Sequence, residues 1–250
     1  MDALEVIALA AWAFTVAVIG GLVGLVLGNL RLPLVILLAS SPAAGAGANV
    51  AISGVSALTA TAAHARAGRV NWRLFWWMAI PSVIGAVIGG LISGVLPSRV
   101  LLGVIALVVL YGAVELLRRP PTDEEPHRDR HPMISAVAVA FGVGLLGGIV
   151  GLILGSLRLP AMMRWVGVTP HAAVGTNAAA GACVGIGGLV GHLPSGIDWE
   201  LFAVGALASI PGAYIGSHLT GRLEEDTLLK AIAAVLVVTG LAMLGQAFVG

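Results

Sequence analysis

Two arginines occupy the same position in a repeated apolar segment, where their guanidinium groups are suited to bind an anion. The segment GGLVGLVLGNLRLP at 20–33 recurs as GGIVGLILGSLRLP at 147–160, with eleven of fourteen positions identical and an offset of 127 residues. Arg31 and Arg158 each follow a long uncharged apolar run. An arginine inside a bilayer costs at least ~2.5–3.5 kcal/mol, so an interior one is a functional candidate. The alternative is that each side chain snorkels from a helix end to the interface.

Polar residues beside the two arginines extend the candidate anion site. Asn29 and Ser156 occupy matched positions, each directly after a glycine that we expect to break the preceding helix. Pro33 and Pro160 predict the first turn of the next helix, since proline favours that position. A helix start presents unpaired N–H groups and a positive dipole end, both of which attract anions.

A second repeated element supplies further polar candidates. Ser41-Pro42 and Thr169-Pro170 each read as a helix N-cap followed by proline at the first helical position. Asn49 and Asn177 follow within the first turns, where they either hydrogen-bond an oxyanion or join neighbouring helices, a contact worth ~0.6 kcal/mol on average. His171, which has no counterpart in the first half, either packs or carries a proton. The predicted substrate-binding residues are Arg31, Arg158, Asn49, Asn177, Thr176, His171, Asn29 and Ser156.

The acidic and cysteine inventories exclude several functions. None of the twelve Asp and Glu falls in the middle of an apolar run, whereas a cation transporter usually needs carboxylates there. The sequence has no H-E-x-x-H motif, no interior aspartate pair and no repeated serine–histidine pair, so we expect no catalytic residues. The lone Cys183 excludes a cysteine metal cluster. We therefore expect no metal site and no cofactor.

The composition predicts an all-α polytopic membrane protein. Hydrophobic residues make up 58% of the chain and charged residues 10%, against about 25% charged in soluble domains. Eight apolar runs are long enough to span a bilayer, and two short apolar pieces, 33–40 and 160–168, are not. We expect a multi-pass protein of the inner or plasma membrane whose partners are the lipid bilayer and a small anion. No basic stretch indicates a nucleic-acid partner, and a homodimer is left open.

The repeat divides the chain into two transmembrane halves. We assign the first to residues 1–119 and the second to 133–250, joined by a hydrophilic linker at 120–132. The loop after the second apolar run carries three arginines, whereas its counterpart at 192–200 has no arginine or lysine and two acids. Because arginine and lysine gather in cytoplasmic loops, this asymmetry favours inverted repeats. Segments 4–40 and 133–168 would then be re-entrant hairpins, each with its arginine at the tip. A parallel arrangement with four full crossings per half stays open.

The complete pattern resembles the TauE/SafE family of sulfite and sulfonate exporters. The resemblance lies in two glycine-rich helix ends leading to a proline, Gly20-Gly21-x-x-Gly24-x-x-x-Gly28 to Pro33 and its copy ending at Pro160. It extends to the proline-capped helix Thr169-Pro170-His171-x-x-x-Gly175-Thr176-Asn177 and to the loop containing Gly196-x-Asp198-Trp199. It implies a secondary transporter for sulfite, a sulfonate or another organic anion, with the sulfur specificity resting on the resemblance alone.

The leading hypothesis is a proton-coupled exporter of a small anion with an arginine-lined central site. Without an interior carboxylate, the coupling proton would travel on the substrate or on His171. An anion channel or uniporter would use the same arginines and differs in that a pH gradient cannot drive its flux uphill. An intramembrane enzyme is disfavoured by the missing motifs, and a purely structural role leaves the matched arginines unexplained.

Overall fold

The computed structural model describes residues 1–91, 98–118, 132–150, 153–193 and 196–249. The described residues form α-helices, and no β-strand occurs among them. The ten α-helices within these ranges are α1 Ala3–Val23, α2 Gly28–Leu38, α3 Pro42–Arg66, α4 Trp72–Leu91, α5 Ser98–Arg118, α6 Pro132–Val150, α7 Gly155–Ala161, α8 Pro170–His192, α9 Trp199–Thr220 and α10 Glu225–Val249. A π-helical turn, Met162–Val166, follows α7. The predicted all-α fold is confirmed.

Several helices are long and apolar enough to cross a bilayer. Within the described part of the chain, five meet both requirements by length and composition: Ala3–Val23, Ala44–Arg66, Pro170–Val190, Trp199–Thr220 and Glu225–Phe248. By contrast, α2 has 11 residues and α7 has 7, fewer than the ~20 that a spanning helix needs. The two short apolar pieces of the sequence therefore correspond to short helices, and the chain is a multi-pass membrane protein.

Local sequence signals set the boundaries of the first hairpin. Asp2 and Glu5 form a reciprocal capping box at the start of α1, with both hydrogen bonds at 2.8 Å. α1 ends at Gly24, which has φ +66°, in the left-handed region that glycine adopts without steric cost. A Cβ at Gly24 would also lie 2.3 Å from the carbonyl oxygen of Val174 on α8. Glycine therefore ends the helix and allows the hairpin break to touch α8.

The predicted position of the two hairpin prolines is wrong. Pro33 and Pro160 are the sixth residues of α2 and α7, which begin at Gly28 and Gly155, so neither proline lies in the first turn. An interior proline has no N–H for the carbonyl four residues earlier, which for Pro33 is that of Asn29. The Asn29 carbonyl instead accepts a hydrogen bond of 3.1 Å from Gln246 Nε2 on α10. A donor from the other end of the chain thus allows the helix to begin earlier.

The contacts between helices fix the direction in which several of them run. Gly212 and Gly216 of α9 lie against Phe14 and Val18 of α1, so α1 and α9 are parallel. The Ser40 amide, directly before α3, donates to Asp198 at the start of α9. The chain thus returns through α2 to the end of the bundle where α1 began, which we name the Asp198 end after that residue.

α8 runs opposite to α3. Gly47 near the start of α3 lies against His192 at the end of α8, Gly54 meets Gly185, and Arg69 beyond α3 meets Gly175 near the start of α8. We name the end of the bundle that carries Arg69 the Arg69 end. Across the halves, α1 packs against α9 and α4 against α6, while α3 packs against α8 and α5 against α10. In each of these pairs, a helix of one half packs against a helix of the other half, as a two-fold relation between the halves would produce. The inverted repeat stays a prediction.

Candidate functional site

Arg31 is buried and bonded to the helix that follows its hairpin. Its side chain is 2% exposed. Its Nε donates to Asn49 Oδ1 at 3.0 Å, and its Nη2 donates to the Asn49 carbonyl at 3.1 Å and to Ser53 Oγ at 2.7 Å. Asn49 Nδ2 in turn donates to the Gly28 carbonyl at 3.1 Å. The predicted site residues Arg31 and Asn49 therefore belong to one hydrogen-bonded group, which we name the Arg31 cluster and which includes Ser53 and Gly28.

Arg158 repeats this arrangement in the second half. It is also 2% exposed, its Nε donates to Asn177 Oδ1 at 2.7 Å, and its Nη1 reaches Ser82 Oγ on α4 at 3.3 Å. Asn177 Nδ2 donates to the carbonyl of Gly155 at 3.3 Å and to that of Gly24, in the break of the first hairpin, at 2.8 Å. Asn177 therefore connects the two hairpins.

The Arg31 cluster and the group formed by Arg158 and Asn177 lie apart. Asn49 precedes the Gly54–Gly185 crossing of α3 and α8 by five residues, and Asn177 precedes it by eight on the antiparallel helix. At a rise of ~1.5 Å per residue, the two asparagines are roughly 20 Å apart along the helix axes. Snorkelling predicts exposed guanidinium groups, whereas both side chains bond inward to helix residues.

Neither guanidinium is neutralised within the described residues. The ion pairs found there join Arg164 to Glu115, His171 to Glu225, Lys230 to Asp226 and the Met1 amine to Glu200. Arg31 and Arg158 are bonded instead to neutral amide, carbonyl and hydroxyl oxygens. A buried cation without a counter-ion creates a positive potential in its low-dielectric surroundings. That potential favours an anion nearby.

A cavity of about 280 Å³ lies beside the Arg31 cluster. Apolar side chains of the first hairpin break and of α3 and α10 form much of its wall, and Ile153 of the second hairpin completes it. The polar lining residues are Asn29, Asn49, Ser53, Ser156, His192 and Thr239. None of the described lining residues is a carboxylate. A small anion with a short apolar part matches this combination of polar and apolar walls.

The cavity collects some of the predicted site residues and omits others. Asn29, Asn49 and Ser156 line it, and Arg31 lies directly behind Asn49 and Ser53. Arg158, Asn177, Thr176 and His171 are not among its lining residues. Thr176 Oγ1 accepts a hydrogen bond from the backbone N–H of Asn71 at 2.9 Å. His171 Nε2 lies 3.1 Å from the Thr220 carbonyl and 3.2 Å from that of Leu223, at the C-terminal end of α9.

Three polar lining residues were not predicted from the sequence: Ser53, His192 and Thr239. Ser53 follows Asn49 by four residues, so it lies on the same face of α3, and that spacing was an available signal. Thr239 lies in a long apolar run, and the position that matches it in the first half is Gly112. A comparison of the two repeats therefore gives no indication of its role. Among the residues that the structure describes, no group of three or more metal-ligating side chains occurs.

A family of membrane proteins and two relatives match this chain along nearly its whole length. The family described as Sulfite exporter TauE/SafE matches residues 9–243. Probable membrane transporter protein YjnA of Bacillus subtilis (strain 168) is 27% identical over 243 residues, covering 90% of this chain and 96% of that protein. Probable membrane transporter protein YunE of the same organism is 25% identical over 252 residues, covering 89% and 91%. No solved structure matches the chain.

Proposed function

The chain belongs to the sulfite exporter TauE/SafE family and is a multi-pass transporter of the cell membrane rather than an enzyme, and on that premise we propose that it exports a small oxyanion. The substrate is sulfite, a sulfonate or a related organic anion, and transport is coupled to protons. The observation that carries the proposal is the cavity beside the Arg31 cluster. Its described walls present amide, hydroxyl and imidazole groups and no carboxylate, and an unneutralised guanidinium lies directly behind them.

The chemistry of the cavity favours an anion over a cation or a neutral solute. A cation would meet the potential of Arg31 without a carboxylate to offset it. An oxyanion accepts hydrogen bonds from the amide and hydroxyl donors, and bonds to a charged partner are the stronger kind. Since no described lining residue is acidic, the coupling proton would travel on the substrate or on an imidazole. His192 lines the cavity, whereas His171 lies at the Arg69 end.

Calorimetric titration of the purified protein tests the substrate class. We expect sulfite and sulfoacetate to bind, and choline and glucose not to bind. Acetate and sulfate show whether a carboxylate or an inorganic dianion competes. If choline or glucose alone gives a signal, the anion proposal is wrong. If acetate binds more tightly than both sulfur anions, the anion class survives and the sulfur specificity does not.

The two arginines provide a matched pair of variants for the same titration. Lysine keeps the charge but cannot reproduce the directed Nε and Nη2 hydrogen bonds of Arg31. We expect Arg31→Lys to weaken anion binding by about tenfold, equivalent to ~1.4 kcal/mol. Arg31 bonds the lining residues Asn49 and Ser53, whereas Arg158 bonds Asn177 and Ser82, which do not line the cavity, so we expect Arg158→Lys to have a smaller effect. In proteoliposomes, uphill anion flux driven by a pH gradient distinguishes a coupled transporter from a channel or uniporter.

A further inference from the structure

Two buried side-chain atoms of the cavity-lining residues have no hydrogen-bond partner among the residues that the structure describes. They are Asn29 Nδ2 and Thr239 Oγ1, on side chains that are 7% and 2% exposed. Burying a polar group without a partner costs free energy, so native structures rarely keep one without a reason. Both groups can donate a hydrogen bond. Both residues line the same cavity, so a molecule bound there is the candidate acceptor.

Thr239 differs in this respect from four other helical threonines of the chain. Thr15, Thr59 and Thr61 each donate to the carbonyl four residues earlier, at 2.7–2.9 Å, as helical threonines commonly do. Thr220 makes the same kind of bond to Gly216 at 3.2 Å. The Thr239 hydroxyl makes no such bond in this conformation. It is therefore free to donate to a bound molecule.

The same helix that provides Thr239 also holds Asn29 in place. Gln246, two turns after Thr239 on α10, donates to the Asn29 carbonyl that Pro33 leaves without a helical partner. This bond fixes the backbone of Asn29, while its side-chain Nδ2 has no partner among the described residues. α10 therefore supplies one donor directly and positions the other.

The arrangement belongs to the first hairpin only. At the offset of 127 residues, Asn29 corresponds to Ser156 and Thr239 to Gly112. Glycine has no side-chain donor, and a Cβ at Gly112 would lie 3.6 Å from Pro160 Cγ, so α5 packs close to α7 at this position. The corresponding position of α10 carries the Thr239 hydroxyl instead. The repeats therefore differ at the position that faces each hairpin.

We propose that the Asn29 amide and the Thr239 hydroxyl donate hydrogen bonds to two oxygens of the transported anion, and that Gln246 is a positioning residue for Asn29. This inference rests on the proposed function and locates its substrate. The positive potential comes from Arg31 behind Asn49 and Ser53, while the two neutral donors contact the anion itself. The ligand class is an oxyanion with at least two acceptor oxygens.

Titration of sulfoacetate and sulfite into the detergent-solubilised full chain tests the assignment. Thr239→Val keeps the shape and removes the donor, so we expect affinity to fall by about 10- to 100-fold, the range for hydrogen bonds to charged groups. Thr239→Ser keeps the donor and should bind within about threefold of the wild type. Asn29→Ala should weaken binding to a similar extent as Thr239→Val. Thr59→Val is the control, because the Thr59 hydroxyl bonds its own helix, and it should bind as the wild type does.

The outcomes separate this inference from the proposed function. A wild type that binds an anion together with a Thr239→Val variant of equal affinity overturns the donor assignment alone. A wild type that binds neither anion overturns the proposed function and the assignment with it. Thermal unfolding without ligand checks folding and gives an independent result. An unpartnered hydroxyl predicts that Thr239→Val is at least as stable as the wild type, and a marked loss of stability would show a structural partner and contradict the assignment.

Discussion

The Arg31 side chain binds two residues of α3 through three hydrogen bonds, and this geometry gives it a structural role beside its electrostatic one. Asn49 accepts two of these bonds, and its own Nδ2 donates a further hydrogen bond to the Gly28 carbonyl at the start of α2. The Arg31 cluster therefore fixes the start of α2 against α3, next to Asn29, which lines the cavity. An arginine that is part of the scaffold in this way should show its role in stability.

A double-mutant cycle with Arg31→Leu and Asn49→Leu measures this coupling. Either single change leaves one partner buried without its hydrogen bonds, whereas the double change removes both polar groups. We expect a coupling free energy of about 1–2 kcal/mol, above the ~0.6 kcal/mol average for hydrogen bonds between membrane helices, because one partner is charged. Unfolding by SDS in mixed micelles is the measurement. Additive single effects would mean that the observed bonds contribute nothing to stability.

At the scale of residues, the repeat predicted the pairs but not their full surroundings. Matched positions identified Arg31 with Arg158 and Asn49 with Asn177, and the structure joins each arginine to the asparagine of its own half. Gln246 and Thr239 could not be found in this way. Their counterparts in the first half are Arg119 and Gly112. Gln246 bonds to Asn29 across a separation of 217 residues, and Thr239 lines the same cavity as Asn29. Local sequence carries no signal for such contacts.

Between elements, the crossing of α3 and α8 depends on one glycine more than on the other. A Cβ at Gly185 would lie 2.7 Å from Gly54 Cα, a backbone atom that can move only with its helix. A Cβ at Gly54 would lie 3.5 Å from the Gly185 carbonyl carbon, an ordinary contact. We expect Gly185→Ala to destabilise the protein by about 1–3 kcal/mol, the usual cost of overpacking. Gly54→Ala is the matched control and should be close to neutral by SDS unfolding. Equal effects of the two changes would contradict this packing.

The start of α9 is held by a carboxylate that also binds the end of the first hairpin. Asp198 Oδ1 caps α9 through the Leu201 amide at 3.3 Å, and Oδ2 accepts from the Ser40 amide at 3.2 Å. Partial burial raises the pKa of Asp198, but the hydrogen bonds from Ser40 and Leu201 outweigh that effect, so its pKa lies below the ordinary value. The charged form is therefore the one that the fold favours.

This shift predicts how stability depends on pH. A lowered pKa in the folded state gives a contribution that is fully present above the unfolded value of about 3.9. It is lost as the pH falls through the lowered folded pKa. We expect thermal stability to decrease more between pH 5 and pH 3 in the wild type than in Asp198→Asn, which retains a capping side chain without the titration. Parallel pH profiles of the two proteins would contradict a favoured carboxylate at this position.

At the scale of the whole molecule, charge is distributed unequally between the two ends of the bundle. The basic residues whose helices and loops meet at the Arg69 end are Arg66, Arg69, Arg73, Arg118, Arg164, Arg222 and Lys230. The Asp198 end carries Asp2, Glu5, Asp198 and Glu200, and Arg99 in the first turn of α5 is an exception to this distribution. Sequence alone indicated this asymmetry from two loops. Which helices meet at each end required the three-dimensional contacts, because the chain returns through the short α2 to the end of the bundle where α1 began.

The positive-inside rule therefore predicts that the Arg69 end faces the cytoplasm and that the Asp198 end, where His192 borders the cavity, faces outward. Cysteine accessibility in intact cells tests this orientation in a Cys183→Ala background. Ala67→Cys and Glu224→Cys place a thiol at exposed positions of the Arg69 end, and Leu193→Cys places one at the opposite end. We expect a membrane-impermeant maleimide to label only Leu193→Cys in intact cells and all three variants after permeabilisation. Labelling of Ala67→Cys and Leu193→Cys from the same side would contradict both the orientation and the inverted repeat, because α3 and α8 run in opposite directions and these two positions follow their ends.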